Sequence, residues 1–275
     1  MNIFERTEML LGTASVEKLS RCHVAVFGVG GVGGHLIEAL VRSGLGEITL
    51  VDPDTVAPSN INRQIIALHS TLGMYKTEAM AARIRDINPD CVVHEKREFF
   101  LPENSSSFDF GSFDYVADAI DTVSGKIEIA KICDSLGVSA IAAMGAGNKT
   151  DPTMFEVSDI FKTSFCPLAA VMRRELRKAG VRSLKVVYSR EPALTPAFQP
   201  TPDAENEIAP SSSAAENTEN MEKNETVKVS VPKRRIVPAS SAFVPAVCGL
   251  IMAGEIIRDL CRSEFAERLS ENSKK

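Results

Sequence analysis

Paired cysteines are missing from this sequence. Cys22, Cys91, Cys133, Cys166, Cys248 and Cys261 stand at least thirteen residues apart, with no C-x-x-C pair. That spacing excludes a structural zinc ribbon. His23, His35, His69 and His94 show no metal-site spacing and read as structural residues. Long apolar runs are missing too. The longest, from about Phe243 to Ala253, is too short to span a bilayer. It contains Pro245 and Gly249 and reads as a packed helix, with contact at a membrane surface as the alternative. No secretory signal is evident, because the chain runs from Met1 straight into a charged amphipathic segment. The expectation is a soluble, cytoplasmic protein. Cys22, Cys91 and Cys133 lie in or beside apolar segments and read as buried, inert thiols. Cys166 precedes a helix start, where a thiol pKa falls, so both an inert and a reactive role stay open.

What is present suits one large α/β domain. The chain has 275 residues, 44% of them hydrophobic, enough for a full core. Short apolar strands alternate with amphipathic helices, which implies a doubly wound, mostly parallel, Rossmann-like sheet. Strands are expected at 24–27, 47–51, 92–96, 115–120, 138–143 and 185–188, with an extended run at 154–160. Helices are expected at about 32–43, 74–87, 125–136 and 167–178, and a serine-rich polar loop at 101–111. Residues 1–190 read as the main domain, 191–235 as a disordered Pro-rich and acidic insertion, and 236–275 as a helix packing back on the domain. Residues 201–226 carry seven acids and one lysine. Removing that −6 from the chain's −5 leaves about +1 for the rest. Basic residues cluster at Arg173, Arg174, Arg177, Lys178, Arg182, Lys185 and Arg190, and again at Lys233-Arg234-Arg235. Such clusters suit an RNA backbone or a solvated helix face equally well.

The first strand, Val24-Ala25-Val26-Phe27, leads into Gly28-Val29-Gly30-Gly31-Val32-Gly33. Gly28 allows a tight turn, Gly30 lets backbone approach a phosphate, and Gly33 lets the following helix pack on the strand. Asp52 follows nineteen residues after Gly33, at the end of the second strand, where it can accept from ribose hydroxyls. Such a unit alone suits NAD or FAD. Arg63 and Lys76 add fixed positive charge, which suits a β/γ-phosphate leaving group better than a dinucleotide.

The run Ser59-Asn60-Ile61-Asn62-Arg63-Gln64, followed by Gly73-Met74-Tyr75-Lys76, resembles the ThiF/MoeB adenylating family, which includes the ubiquitin-activating enzymes. The resemblance continues through Ala119-Ile120-Asp121-Thr122, Gly145-Ala146-Gly147-Asn148-Lys149-Thr150-Asp151-Pro152-Thr153 and Asp159-Ile160-Phe161-Lys162-Thr163. It covers about residues 1–190 and resumes near Pro238, and within the family it is strongest to the branch that dehydrates threonylcarbamoyladenosine in tRNA. The resemblance implies that ATP is bound by Gly28, Gly30, Gly31, Gly33, Asp52, Asp54, Asn60, Arg63, Lys76, Asp121 and Thr122. It implies that Asp121 positions Mg²⁺, unless its carboxylate instead caps the next helix. Gly145, Ala146 and Gly147 would form a substrate loop. Arg6 would reach into the site of a second subunit, which implies a homodimer. tRNA is the implied partner, with a sulfur-transfer protein as a further one. Many sulfur-carrier-activating relatives carry two C-x-x-C pairs that this chain lacks. Adenylation of a ubiquitin-like sulfur carrier is therefore the second reading, and a non-catalytic or NAD-binding module the third.

Overall fold

Val24 and Val26 face one side of the first strand and Ala25 and Phe27 the other, and all four are fully buried. A strand apolar on both faces must be covered by helices on both sides. The computed structural model, which describes residues 2–198 and 238–266, shows that arrangement. Two short helices, α1 (Glu5–Leu11) and α2 (Thr13–Leu19), precede β1 (His23–Phe27). Then follow α3 (Gly33–Arg42), β2 (Glu47–Val51), α4 (Lys76–Ile87), β3 (Val92–Lys96), β4 (Tyr115–Asp118), α5 (Val123–Leu136) and β5 (Ser139–Ala143). After these come β6 (Phe155–Asp159), α6 (Pro167–Lys178), β7 (Lys185–Ser189) and α7 (Phe243–Leu260).

The sheet has seven strands in the order β3-β2-β1-β4-β5-β7-β6. All neighbours are parallel except β6, which runs antiparallel to β7 at the edge. Strand order reverses between β1 and β4, and a crevice opens there at the carboxyl ends of the strands. One face of the sheet is packed by α3, α4 and α7, through Leu36, Leu40, Met80, Ile84, Met252 and Ile256. Helices α5 and α6 cover the other face.

Two expectations need correction. The stretch 101–111 is not simply a polar loop. It folds into short 3₁₀ turns at Pro102–Ser107 and Phe110–Ser112 and buries Phe108 and Phe110. Phe110 stacks on Phe27 with ring centroids 5.5 Å apart, and Phe100 meets the same ring edge-on at 4.9 Å. Nor does the ordered chain stop at 190. Glu191 is 9% exposed and accepts from the Thr150 and Asp151 amides at 2.8 and 3.0 Å. Residues 199–235, and with them Lys233-Arg234-Arg235, lie outside the described residues. Among the described residues, no helix is long and apolar enough to cross a membrane.

Candidate active site

The glycine loop sits at the point where strand order reverses. Gly28 takes φ +93°, and a Cβ there would lie 2.7 Å from the Ala119 carbonyl oxygen. A Cβ on Gly33 would lie 1.8 Å from the Gly28 oxygen, so neither position accepts a side chain. Gly30 differs. Among the described residues, a Cβ there would meet only the Gln64 amide nitrogen, at 3.9 Å. The protein itself does not require glycine at that position, and the space it leaves lies open beside the start of α3. Helix N-terminal amides facing such space suit phosphate.

Asp52, at the end of β2, is 6% exposed and braces this loop. Its carboxylate accepts from the Val29 amide at 2.7 Å and the Asp54 amide at 3.0 Å. Burial pushes the carboxyl above its ordinary pKa, and Lys76 and the two amides pull against that rise. The Lys76 side chain is 8% exposed, with Nζ 2.7 Å from Asp54 and 3.7 Å from Asp52. An isolated antiparallel bridge between Thr55 and Tyr75 ties the segment after β2 to the start of α4 and so fixes Lys76 beside both acids.

Arg63 lies over the glycine loop, where a Cβ on Gly31 would sit 3.3 Å from the arginine Cγ. Its guanidinium donates to the Ser59 carbonyl at 2.9 Å and the Asn62 side-chain oxygen at 2.8 Å. Both acceptors are neutral, and burial draws the guanidinium below its ordinary pKa. Among the described residues no carboxylate pairs with Arg63, so a partly buried cation faces the loop without a counter-charge. Asn60 accepts from the Ala57 amide at 3.1 Å and shapes the turn that presents Arg63.

The family model described as the ThiF family matches residues 4–274. This chain belongs to the ThiF family. Relatives of this ThiF-family chain include the tRNA threonylcarbamoyladenosine dehydratase of Bacillus subtilis (strain 168), 41% identical over 270 residues, 98% of each chain. The protein of the same name from Haemophilus influenzae is 40% identical over 190 residues, 66% of this chain and 73% of that one. The crystal structure of the E. coli tRNA N6-threonylcarbamoyladenosine dehydratase in complex with ATP superposes with a TM-score of 0.77 at 29% identity. It covers 96% of this chain and 95% of that one.

The other expected site residues divide into two groups. Asp121 lies two residues beyond Ala119, whose carbonyl lies against Gly28. It is exposed, and the Thr122 hydroxyl donates to its carboxylate at 3.5 Å. Thr122, not Asp121, is the N-cap of α5. Gly145, Ala146 and Gly147 follow β5, and a Cβ on Gly147 would meet Pro238 at 2.9 Å, so this loop borders the returning chain. Arg6 stands apart, exposed on α1, a helix with no buried residue. Cys166 is 2% exposed, which removes the access a reactive thiol needs. The thiols of Cys133 and Cys248 are pushed up to about 12 by burial.

Five of the seven basic residues at 173–190 stand beside acids. Arg174 and Lys178 pair with Glu175, Arg182 with Asp134, Lys185 with Glu255 and Asp259, and Arg190 with Glu156. The sequence reading also missed a buried ion pair. Lys126, fully buried on α5, donates to Asp118 at 3.0 Å and to the Ile120 carbonyl at 3.2 Å. Among the described residues, the second Asp118 oxygen is buried without a hydrogen-bond partner. This pair fixes the end of β4 from which the chain runs on through Ala119 and Ile120.

Proposed function

We propose that this protein is an ATP-dependent dehydratase that cyclises threonylcarbamoyladenosine in tRNA through an acyl-adenylate. The observation that carries ATP use is Arg63, a partly buried cation bonded, among the described residues, only to neutral groups beside an open glycine loop. The substrate assignment rests on relatives of that name that match along nearly the whole chain.

In this reading a carboxylate oxygen of the substrate attacks the α-phosphorus of ATP, and the bond to pyrophosphate breaks. Arg63 and Lys76 take up the charge on the departing pyrophosphate. Asp52 holds the ribose with the lone pairs not used by Val29 and Asp54, and Asn60 and Asp54 flank the phosphates. A nitrogen or oxygen nucleophile of the same modified base then attacks the acyl carbon and loses its proton, and AMP leaves. The sum is loss of one water. No enzyme nucleophile is required, in keeping with the six buried cysteines. Asp121 offers an exposed, hard oxygen donor that suits Mg²⁺, which would neutralise phosphate charge when bound. The Gly145–Gly147 loop borders the substrate. Arg6 completes the site of a partner subunit in a homodimer, and the protein works in the cytoplasm.

Transfer to a sulfur carrier is less well supported. It calls for a carrier protein substrate and commonly for a zinc ribbon, and the described residues hold neither a C-x-x-C pair nor an exposed thiol. The decisive experiment is mass spectrometry of nucleosides from modified tRNA incubated with the protein and ATP. The expected product is lighter than threonylcarbamoyladenosine by one water, with AMP and pyrophosphate released. Unchanged nucleoside with ATP consumed in the presence of a carrier protein would reject the proposal.

A further inference from the structure

The opposite end of the sheet from the glycine loop brings together three side chains that the sequence scatters. His23 is the first residue of β1, Glu47 the first of β2, and His94 the third of β3. The parallel register sets His23 beside Glu47 and Thr49 beside His94, so all these side chains share one face. His94 Nε2 lies 2.8 Å from Glu47 Oε1, and His23 Nδ1 lies 3.5 Å from the same oxygen. One ligand atom from each of the three residues falls within 4.8 Å of the others.

We propose that His23, Glu47 and His94 form a binding site for a borderline divalent transition-metal ion, of which Zn²⁺ is the type. Two imidazole nitrogens and one carboxylate oxygen are a donor set that Zn²⁺ accepts with a fourth position left for water. Mg²⁺ and Ca²⁺ prefer oxygen-only sets. The support around the ligands fits the same use. His23 Nε2 lies 2.8 Å from the hydroxyl of Thr49, which is 4% exposed, so the ring can donate there and leave Nδ1 free toward Glu47. A ligating histidine is oriented in this way by a bond to its other nitrogen. Phe113 meets the His23 ring edge-on at 4.9 Å and limits its rotation. The side chains of Glu47 and His94 are 39% and 47% exposed, which gives an ion a route in. Burial also holds His23 below its ordinary pKa, toward the neutral form a metal requires. All three ligands stand on neighbouring strands, so the site is formed before any ion arrives. An ion would take the place of the hydrogen bond between His94 and Glu47.

The test is calorimetric titration of the full chain with Zn²⁺, together with Co²⁺ absorption spectra, for the parent protein and for His94→Ala, Glu47→Gln and Thr49→Val. Expected are one tight equivalent of Zn²⁺, a Co²⁺ spectrum of four- or five-coordinate type, and a rise in Tm with Zn²⁺ but not with Mg²⁺. His94→Ala and Glu47→Gln should weaken binding by at least about tenfold, and Thr49→Val by roughly 10–100-fold. His94 is exposed, so its variant keeps the metal-free Tm and isolates the effect of the ligand. Absence of a tight equivalent, or a stoichiometry and affinity unchanged in both His94→Ala and Glu47→Gln, overturns the proposal.

Discussion

Arg63 and Lys76 differ in how much of the fold depends on them. Among the described residues Arg63 bonds only to the Ser59 carbonyl and the Asn62 side chain, so Arg63→Ala should leave Tm nearly unchanged. Its loss should cost about 2.7–4 kcal/mol of transition-state stabilisation, roughly 10²–10³ in ATP–pyrophosphate exchange. Near-parental exchange in that variant would remove Arg63 from the site. Lys76→Ala should lose activity and stability together, because Lys76 neutralises the buried Asp52. The sequence places Lys76 near phosphate, yet its burial between two acids depends on the Thr55–Tyr75 bridge, which has no local signal. Lys126 was invisible for a related reason. It sits on an amphipathic helix where a lysine ordinarily faces water, and its partner Asp118 is the end of another element. Breaking a fully buried pair from one side strands a charge, so Lys126→Ala should lower stability by about 3–5 kcal/mol in urea titration. The double change Asp118→Leu with Lys126→Met should recover most of that. Failure to recover would mean that the pair does more than neutralise itself.

At the scale of elements, α7 is held to the sheet by polar as well as apolar contacts. Tyr115 donates to Asp259 at 2.7 Å, and Lys185 reaches Asp259 at 2.6 Å and Glu255 at 3.1 Å. Burial alone would raise the Asp259 carboxyl, but Lys185 and Tyr115 outweigh it and hold the carboxyl below its ordinary value. A depressed carboxyl contributes stability that is fully present above its unfolded pKa, about 3.9. That contribution is lost as pH falls through the folded value. Asp259→Asn should therefore cost about 1 kcal/mol at pH 7, for a partly exposed pair. In urea titrations across pH, the gap from the parent should narrow as pH drops below about 4, where the parent's own carboxylate protonates. A gap that stays constant would show that the charge is not what matters. Strands and most helices were legible because period-two and period-3.6 patterns are local. The 101–111 stretch misled because Phe108 and Phe110 follow neither period, and their burial is set by the distant ring of Phe27. Glu191 misled because its partners, Thr150 and Asp151, lie some forty residues back.

For the molecule as a whole, an exposed Arg6 on a helix with nothing buried leads to a test of assembly. If Arg6 acts across a homodimer, Arg6→Ala and Arg63→Ala proteins should each be inactive, and re-formed mixtures should regain activity, since each mixed dimer keeps one intact site. No recovery after verified subunit exchange would place Arg6 outside the reaction. The charge balance could be read at this scale only in part. The sequence shows the basic run at 173–190, but apart from Glu175 on the same helix the acids that pair with it come from α5, β6 and α7, which only the fold brings near. One residue bears on how the chain is joined together. Asn148, at φ +58°, accepts the Leu194 amide on its carbonyl at 2.8 Å. It also exchanges bonds with Ala239, backbone to backbone at 2.7 Å and side chain to backbone at 2.6 Å. The outgoing and incoming strands of the polypeptide are thus buttoned to a single asparagine. Beyond them α7 buries Val244, Cys248, Met252 and Ile256 completely in the common core. The peptide connection between 198 and 238 is therefore not what keeps α7 in place. Severed there, the two pieces should copurify as a fragment complex, and the protein could be produced as separate halves that find each other.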